Sequence, residues 1–169
     1  MSCPPIGPWA DALVPDTSYG TLSIDGVGLF TPAWTVTSLA SLYDDPDVRG
    51  GDRLIPGRTG VLPYRRRATA TRHSLPFLVV GLVDDNGIVQ SDPNAQLVTN
   101  LRYLKTNVTL PTNTGDGTRT AVLTMPDGTV VTEDIHVIGL HGDTLPGAMW
   151  AGMLELSDPT GNFHVGGAP

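Results

Sequence analysis

The sequence predicts a mainly β fold, an antiparallel sandwich or barrel with one flanking helix, on three observations. Short runs of alternating polar and apolar residues recur along the chain, Asp-Gly pairs sit between several of them, and a single stretch carries an apolar stripe at helical spacing. Twenty glycines and fifteen prolines in 169 residues supply the turns that many short strands need. A chain of this length buries roughly 70% of its unfolded surface, which is enough for one core.

The first hairpin is read over 20–28. Thr21-Leu22-Ser23-Ile24 alternates, Asp25-Gly26 forms the two-residue turn, and Val27 and Leu29 resume the alternation. Trp34-Thr35-Val36-Thr37 follows as a third strand after Pro32, which a strand tolerates at its start or at an edge. From about 40 to 70 no periodicity is sustained, and the segment reads as a long loop or arm. A loop of that length inside a compact domain points to a partner. Strand character returns over 69–84, where 75–83 is apolar enough to be buried on both faces, and Asp85-Asn86-Gly87 turns the chain.

Asp92 is a good N-cap and Pro93 suits the first helical position, so a helix is predicted to run to about Asn107. Leu97, Leu101, Leu104 and Val108 form its apolar stripe, with Arg102 and Lys105 facing out. A second hairpin joins 118–124 to 129–132 through Pro126-Asp127-Gly128. Ile135-His136-Val137-Ile138 and 149–156 complete about eight strands. Residues 1–19 read as an N-terminal arm and 20–165 as a single domain that includes the 40–72 loop.

The charge pattern is more informative than the net charge of −7. Positions 49–72 hold seven arginines against Asp52 alone, a net of +6, whereas 1–48 holds six aspartates and no base. Such a segment could be a solvated strand end with no role, but it meets acidic surface on another copy more readily than it binds nucleic acid from a chain of pI 4.7. A basic patch that meets a different, acidic surface makes a heterologous contact, and heterologous contacts close into rings or stack into tubes.

Sites for chemistry are not evident. Gly26-Val27-Gly28 sits on a hairpin without the third glycine and helix of a dinucleotide fingerprint. His136, His141 and Asp143 span a strand end and a Gly-rich turn rather than a ligand-spaced element. His73 and Ser74 point to opposite faces of one strand and read as surface residues. Cys3 has no partner, so neither an intrachain disulfide nor a multi-thiol metal site is available. No catalytic residue, cofactor or metal is expected, and no segment approaches the ~18–20 apolar residues that span a bilayer.

Several stretches resemble tail proteins of long-tailed phages that infect actinobacteria. They are 22–29 with Trp34, Asp47-Val48-Arg49-Gly50, Arg53-Leu54-Ile55-Pro56-Gly57-Arg58-Thr59-Gly60, the Tyr64-Arg65-Arg66-Arg67 run, 115–121 and 123–128. The resemblance covers about residues 18–165, and its most distinctive element is Arg-Gly followed by Pro-Gly-x-x-Gly. It implies the tail-tube fold, a virion protein made in the host cytoplasm, and a homohexameric ring that stacks into a tube. DNA would then pass through the lumen without specific binding, alongside other phage tail proteins. Arg49, Arg53, Pro56, Gly57, Arg58, Gly60, Tyr64, Arg65, Arg66, Arg67 and Arg72 become the expected assembly interface.

The distal tail protein, which uses a similar domain, is the alternative, and the chain's end after Phe163-His164-Val165-Gly166-Gly167 favours the tube subunit over it. A carbohydrate- or receptor-binding sandwich is the second alternative, with Trp9, Trp34 and Trp150 as candidates, although alternation places Trp34 and Trp150 in the core. Changing Arg65, Arg66 and Arg67 together to Ser is expected to leave the domain folded and unable to assemble. Electron microscopy of that variant checks it, and intact rings or tubes would refute the assignment.

Overall fold

The computed structural model describes residues 14–44, 48–49, 53–54, 61–62, 67–68, 70–110 and 117–163. In chain order the strands are β1 (Thr21–Ile24), β2 (Val27–Gly28), β3 (Trp34–Val36), β4 (Val48–Arg49), β5 (Arg53–Leu54), β6 (Val61–Leu62), β7 (Arg67–Ala68) and β8 (Thr71–Val80). Helix α1 (Pro93–Leu104) comes next, and β9 (Arg119–Thr124), β10 (Val130–Leu145) and β11 (Met149–Asp158) follow it. Seven strands form one antiparallel sheet in the order β2-β1-β9-β10-β11-β8-β3.

β10 makes this sheet curl. Its first part pairs with β9, from Val130 opposite Thr124 to Ile135 opposite Arg119. Its second part pairs with β11, from His136 opposite Ser157 to Leu145 opposite Met149, with a bulge between Val137 and Gly139. An extra residue in one strand raises the local twist and bends it, so the two halves of the sheet turn toward each other. The edges meet around Leu29 and Phe30, where Phe30 also bridges Thr35. Leu29 N–H donates to Leu22 C=O at 2.9 Å, and Val36 N–H donates to Leu29 C=O at 3.0 Å, so a single residue joins β1 to β3. The result is a half-barrel with one helix.

The hairpins form as their sequences require. Asp25 and Gly26 both take positive φ, 48° and 80°, which is the type I′ geometry that Asp-Gly favours between Ile24 and its partner Val27. Leu22, Ile24, Leu75, Leu123, Leu154, Leu156 and Phe163 are all buried in one continuous core. Trp34 and Trp150 are buried there too, the former donating Nε1–H to Gly28 C=O at 3.1 Å.

Four sequence expectations are corrected. The 75–83 run is not buried on both faces: Leu75, Phe77 and Val79 point into the core, while Pro76 and Leu78 are half-buried, as an antiparallel sheet with one covered face allows. The segment from 40 to 70 is not without structure. It contains a 3₁₀ turn at Ala40–Leu42, and the pairing of β4 with β7 and β5 with β6 is nested, which makes a narrow antiparallel ribbon. Residues 129–138 do not hold two strands, because β10 exchanges one partner for another without breaking. Glu133 and Asp134 are accommodated on a half-exposed stretch, with Asp134 accepting from Thr120 Oγ1 at 3.0 Å. His73 is not a surface residue. It is buried against Phe163 with Nδ1 at 2.9 Å from Ser41 C=O, because its strand position falls on the same face as Leu75.

Helix α1 begins as predicted, with Asp92 Oδ1 accepting from Ala95 N–H at 3.1 Å and Pro93 in the first turn. It ends three residues early as an α-helix and passes into a π-helical turn at Lys105–Thr109. Leu97, Leu104 and Val108 are buried in the sheet's core and Leu101 is half-buried. Asn100 shares the buried face, and its amide is satisfied: Nδ2 donates to Val80 C=O at 2.8 Å and Val83 C=O at 3.1 Å, and Oδ1 accepts from Gln96 Nε2 at 2.8 Å. The helix thereby caps the end of β8 by polar contacts as well as apolar ones. Gly81 permits the approach, since a Cβ there would stand 1.9 Å from Pro93 C=O and 2.8 Å from Leu97 Cβ.

The other end of the helical segment is held by a buried charge. Arg119 Nη1 pairs with Asp25 Oδ2 at 2.5 Å and donates to Asn107 C=O at 2.8 Å, while Nη2 donates to Leu110 C=O. Asp25 Oδ1 in turn accepts from Thr120 N–H at 2.9 Å. One guanidinium therefore ties the β1–β2 turn, β9 and the carbonyls after the helix through three charge-assisted hydrogen bonds.

Two stability outcomes follow from these contacts. Gly81→Ala is expected to cost about 2–3 kcal/mol, because both obstructing groups belong to packed backbone or its first side-chain atom. A lower urea midpoint at unchanged slope checks it. Asp25→Ala is expected to cost about 3 kcal/mol, since it strands a buried guanidinium, and Asp25→Asn is expected to recover part of that by keeping the oxygen acceptor. Chemical denaturation of the two variants side by side distinguishes them.

Candidate assembly surface

Two features of the fold are candidates for contact with another chain. One is the arginine-rich ribbon. The register of β4 and β7 sets Arg49 directly across from Arg67, and that of β5 and β6 sets Arg53 across from Leu62. Pro56, Gly57, Arg58, Gly60, Tyr64, Arg65 and Arg66 lie outside the described residues. Arg72 is exposed on the outer face of β8, opposite Ser157, and stands at the base of the ribbon. The backbone thus gathers Arg49 and Arg67 at one rung, with Arg53 on the next pairing outward.

The second feature was not anticipated from the sequence. Beyond residue 135, β10 has β11 on one side and, among the described residues, no strand on the other. Residues 141–147 are exposed on both faces of the sheet. Ile138, Leu145 and Met153 add exposed apolar side chains to this hairpin. An unpaired edge with apolar neighbours is a template for another strand.

Glycine makes the hairpin thin. Gly142 pairs with Gly152, and a Cβ on the former would lie 2.5 Å from the partner's Cα and 2.7 Å from Trp150 Cζ2. The indole ring occupies the space that two side chains would otherwise fill. The one sequence signal for this edge was the broken alternation through Val137, Ile138, Gly139 and Leu140, where two successive apolar residues mark the bulge.

Among the described residues no group of three or more His, Cys, Asp or Glu is placed to hold a metal ion, and His136, His141 and Asp143 are not gathered into one. No helix among them is long and apolar enough to cross a membrane.

No protein-family model matches the chain, and no curated protein sequence matches it. Among solved structures, its fold is similar to that of the Dit protein (gp 19.1) of phage SPP1. The TM-score is 0.54 at 14% sequence identity, over 82% of this chain and 49% of that one. The chain therefore spans about half the length of the Dit chain. That protein is described as a paradigm of the hub adsorption apparatus in phages infecting Gram-positive bacteria.

Proposed function

We propose that this chain is a structural, non-catalytic phage tail subunit that assembles with copies of itself into a ring and binds other tail proteins through that ring. The fold likeness to SPP1 Dit carries the reading, and it favours a distal-tail ring at the tip over a tube subunit. The arginine ribbon and the unpaired edge of β10 are the two surfaces through which copies join. The ribbon supplies orientation and register through charge, and the edge supplies main-chain hydrogen bonds and buries Ile138 and Leu145.

The tube subunit is the second reading. The sequence resemblance over 49–60, where Arg49-Gly50 is followed by Pro56-Gly57 and Gly60, agrees with it, but distal tail proteins carry a similar pattern. A six-fold ring and a lumen that passes DNA belong to both readings, and a chain with net charge −7 would repel the duplex rather than hold it. The carbohydrate-binding alternative loses support, because Trp34 and Trp150 are buried and offer no surface platform.

Negative-stain electron microscopy with mass photometry tests the proposal. Discrete rings of uniform diameter are expected, open-ended tubes would favour the tube subunit, and a persistent monomer at all concentrations would overturn self-assembly. Ile138→Lys with Leu145→Lys is expected to abolish the rings while the far-ultraviolet circular dichroism stays unchanged.

A further inference from the structure

A cleft of about 400 Å³ is lined by Asp16, Tyr19, Phe30, Val36, Leu39 and Tyr43. That volume falls in the range of small-molecule sites. Val36 and Leu39 are buried and Phe30 is half-buried, so they make an apolar floor, whereas Tyr19 and Tyr43 stand open at 62% and 46% exposure. The polar groups of the walls are already engaged. Tyr43 Oη donates to Tyr19 C=O at 2.7 Å, Thr37 N–H and Oγ1 both donate to Pro76 C=O, at 2.9 and 3.4 Å, and Ser38 Oγ accepts from Ala40 N–H at 3.2 Å. The first of these bonds also ties one tyrosine to the backbone of the other.

One charge remains open at the rim. Asp16 Oδ1 accepts from Ser18 Oγ and from Ser18 N–H at 3.0 Å, and these bonds hold the carboxyl below the usual carboxylate range, so it is ionised at neutral pH. Among the described residues no base lies within ion-pair distance of it, Arg119 being held by Asp25. Residues 14–44 contain Asp16, Asp25 and Asp44 and no lysine or arginine, so the surroundings of the cleft are acidic. An aromatic face attracts a cation within about 6 Å of its ring centroid, and an ionised carboxylate adds to that attraction.

The apolar floor then decides which cation fits. A primary ammonium or a guanidinium would shed water from its N–H groups over Phe30, Val36 and Leu39 and leave donors unpaired, which is an expensive exchange. A quaternary ammonium carries its charge under methyl groups and has no donor to strand. We propose that this cleft binds a quaternary ammonium group, with its methyl shell on Phe30, Val36 and Leu39 and its charge against the rings of Tyr19 and Tyr43 and the carboxylate of Asp16. The site belongs to a single copy and goes beyond the phage-tail reading, so either can fail without the other.

Saturation-transfer NMR of the full-length chain with choline as the probe tests it, because the method reads ligand binding whether or not copies assemble. Saturable transfer to the trimethylammonium protons is expected with a Kd on the order of 1 mM, as suits a ligand of so few atoms. Two controls fix the chemistry. The neutral tert-butyl isostere of choline, in which carbon replaces the ammonium nitrogen, and ethanolamine, a primary amine, are each expected to bind several-fold more weakly. Asp16→Asn is expected to weaken choline several-fold and leave the neutral isostere unchanged, and Tyr19→Leu, which keeps an apolar side chain but removes the ring, is expected to weaken choline similarly. Absence of saturable transfer overturns the proposal, as does equal binding of choline and either control, or choline binding that is unchanged in either variant. The three-ligand comparison uses the unaltered chain, so it decides the question even if a variant does not fold.

Discussion

The architecture depends on one strand that must satisfy two partners. β10 gives its hydrogen bonds to β9 over its first part and to β11 over its second, and the bulge between Val137 and Gly139 is where it changes. A flat seven-stranded sheet of this composition would leave its apolar face open to water. The bend at the bulge brings the two halves around a common core, and Leu29 links the far edges where they approach. Everything described of the core, from Leu22 and Ile24 on one side to Leu75 and Leu154 on the other, is enclosed because of that turn.

The same corner organises the polar interior. Arg119 stands opposite Ile135, at the last rung before β10 changes partner, and its guanidinium reaches Asp25 on one side and the carbonyls of Asn107 and Leu110 on the other. A charge so placed in the interior is tolerated when it is paired and hydrogen-bonded, and here Asp25 and the two carbonyls answer three of its donors. At the opposite end of the helical segment, Asn100 plays the corresponding neutral role against the carbonyls of Val80 and Val83. The helix is therefore pinned at both ends by side chains that answer backbone acceptors, and its apolar stripe closes the core between them.

The bend also creates the surfaces that look outward. A strand that leaves one neighbour for another exposes an edge on each side of the exchange, and in β10 the longer of these edges carries Ile138 and Leu145. An isolated subunit holds that edge as a liability, whereas the proposed ring would convert it into a seam. In the proposed assembly the arginine segment would add a second, electrostatic contact that is salt-sensitive and directional.

Local chemistry alone determined much of this protein. Asp25-Gly26 specified a type I′ turn whatever surrounds it, Asp92-Pro93 specified the start of a helix, and alternation placed Leu22, Ile24, Trp34 and Trp150 inward. The concentration of arginine in 49–72 was likewise legible, because charge is additive along a chain. Tertiary structure decided the rest. That 130–145 is one strand shared by two partners, that Asn100 and His73 are interior, and that Arg119 is a buried tie rather than a surface base all depend on groups distant in sequence. The nested pairing within the arm was equally invisible in the sequence, and the broken alternation through Val137, Ile138, Gly139 and Leu140 marked the bulge but not the open edge of β10. Each is made by segments whose proximity is fixed only when the sheet bends, and no local pattern of residues encodes where a strand will lack a neighbour.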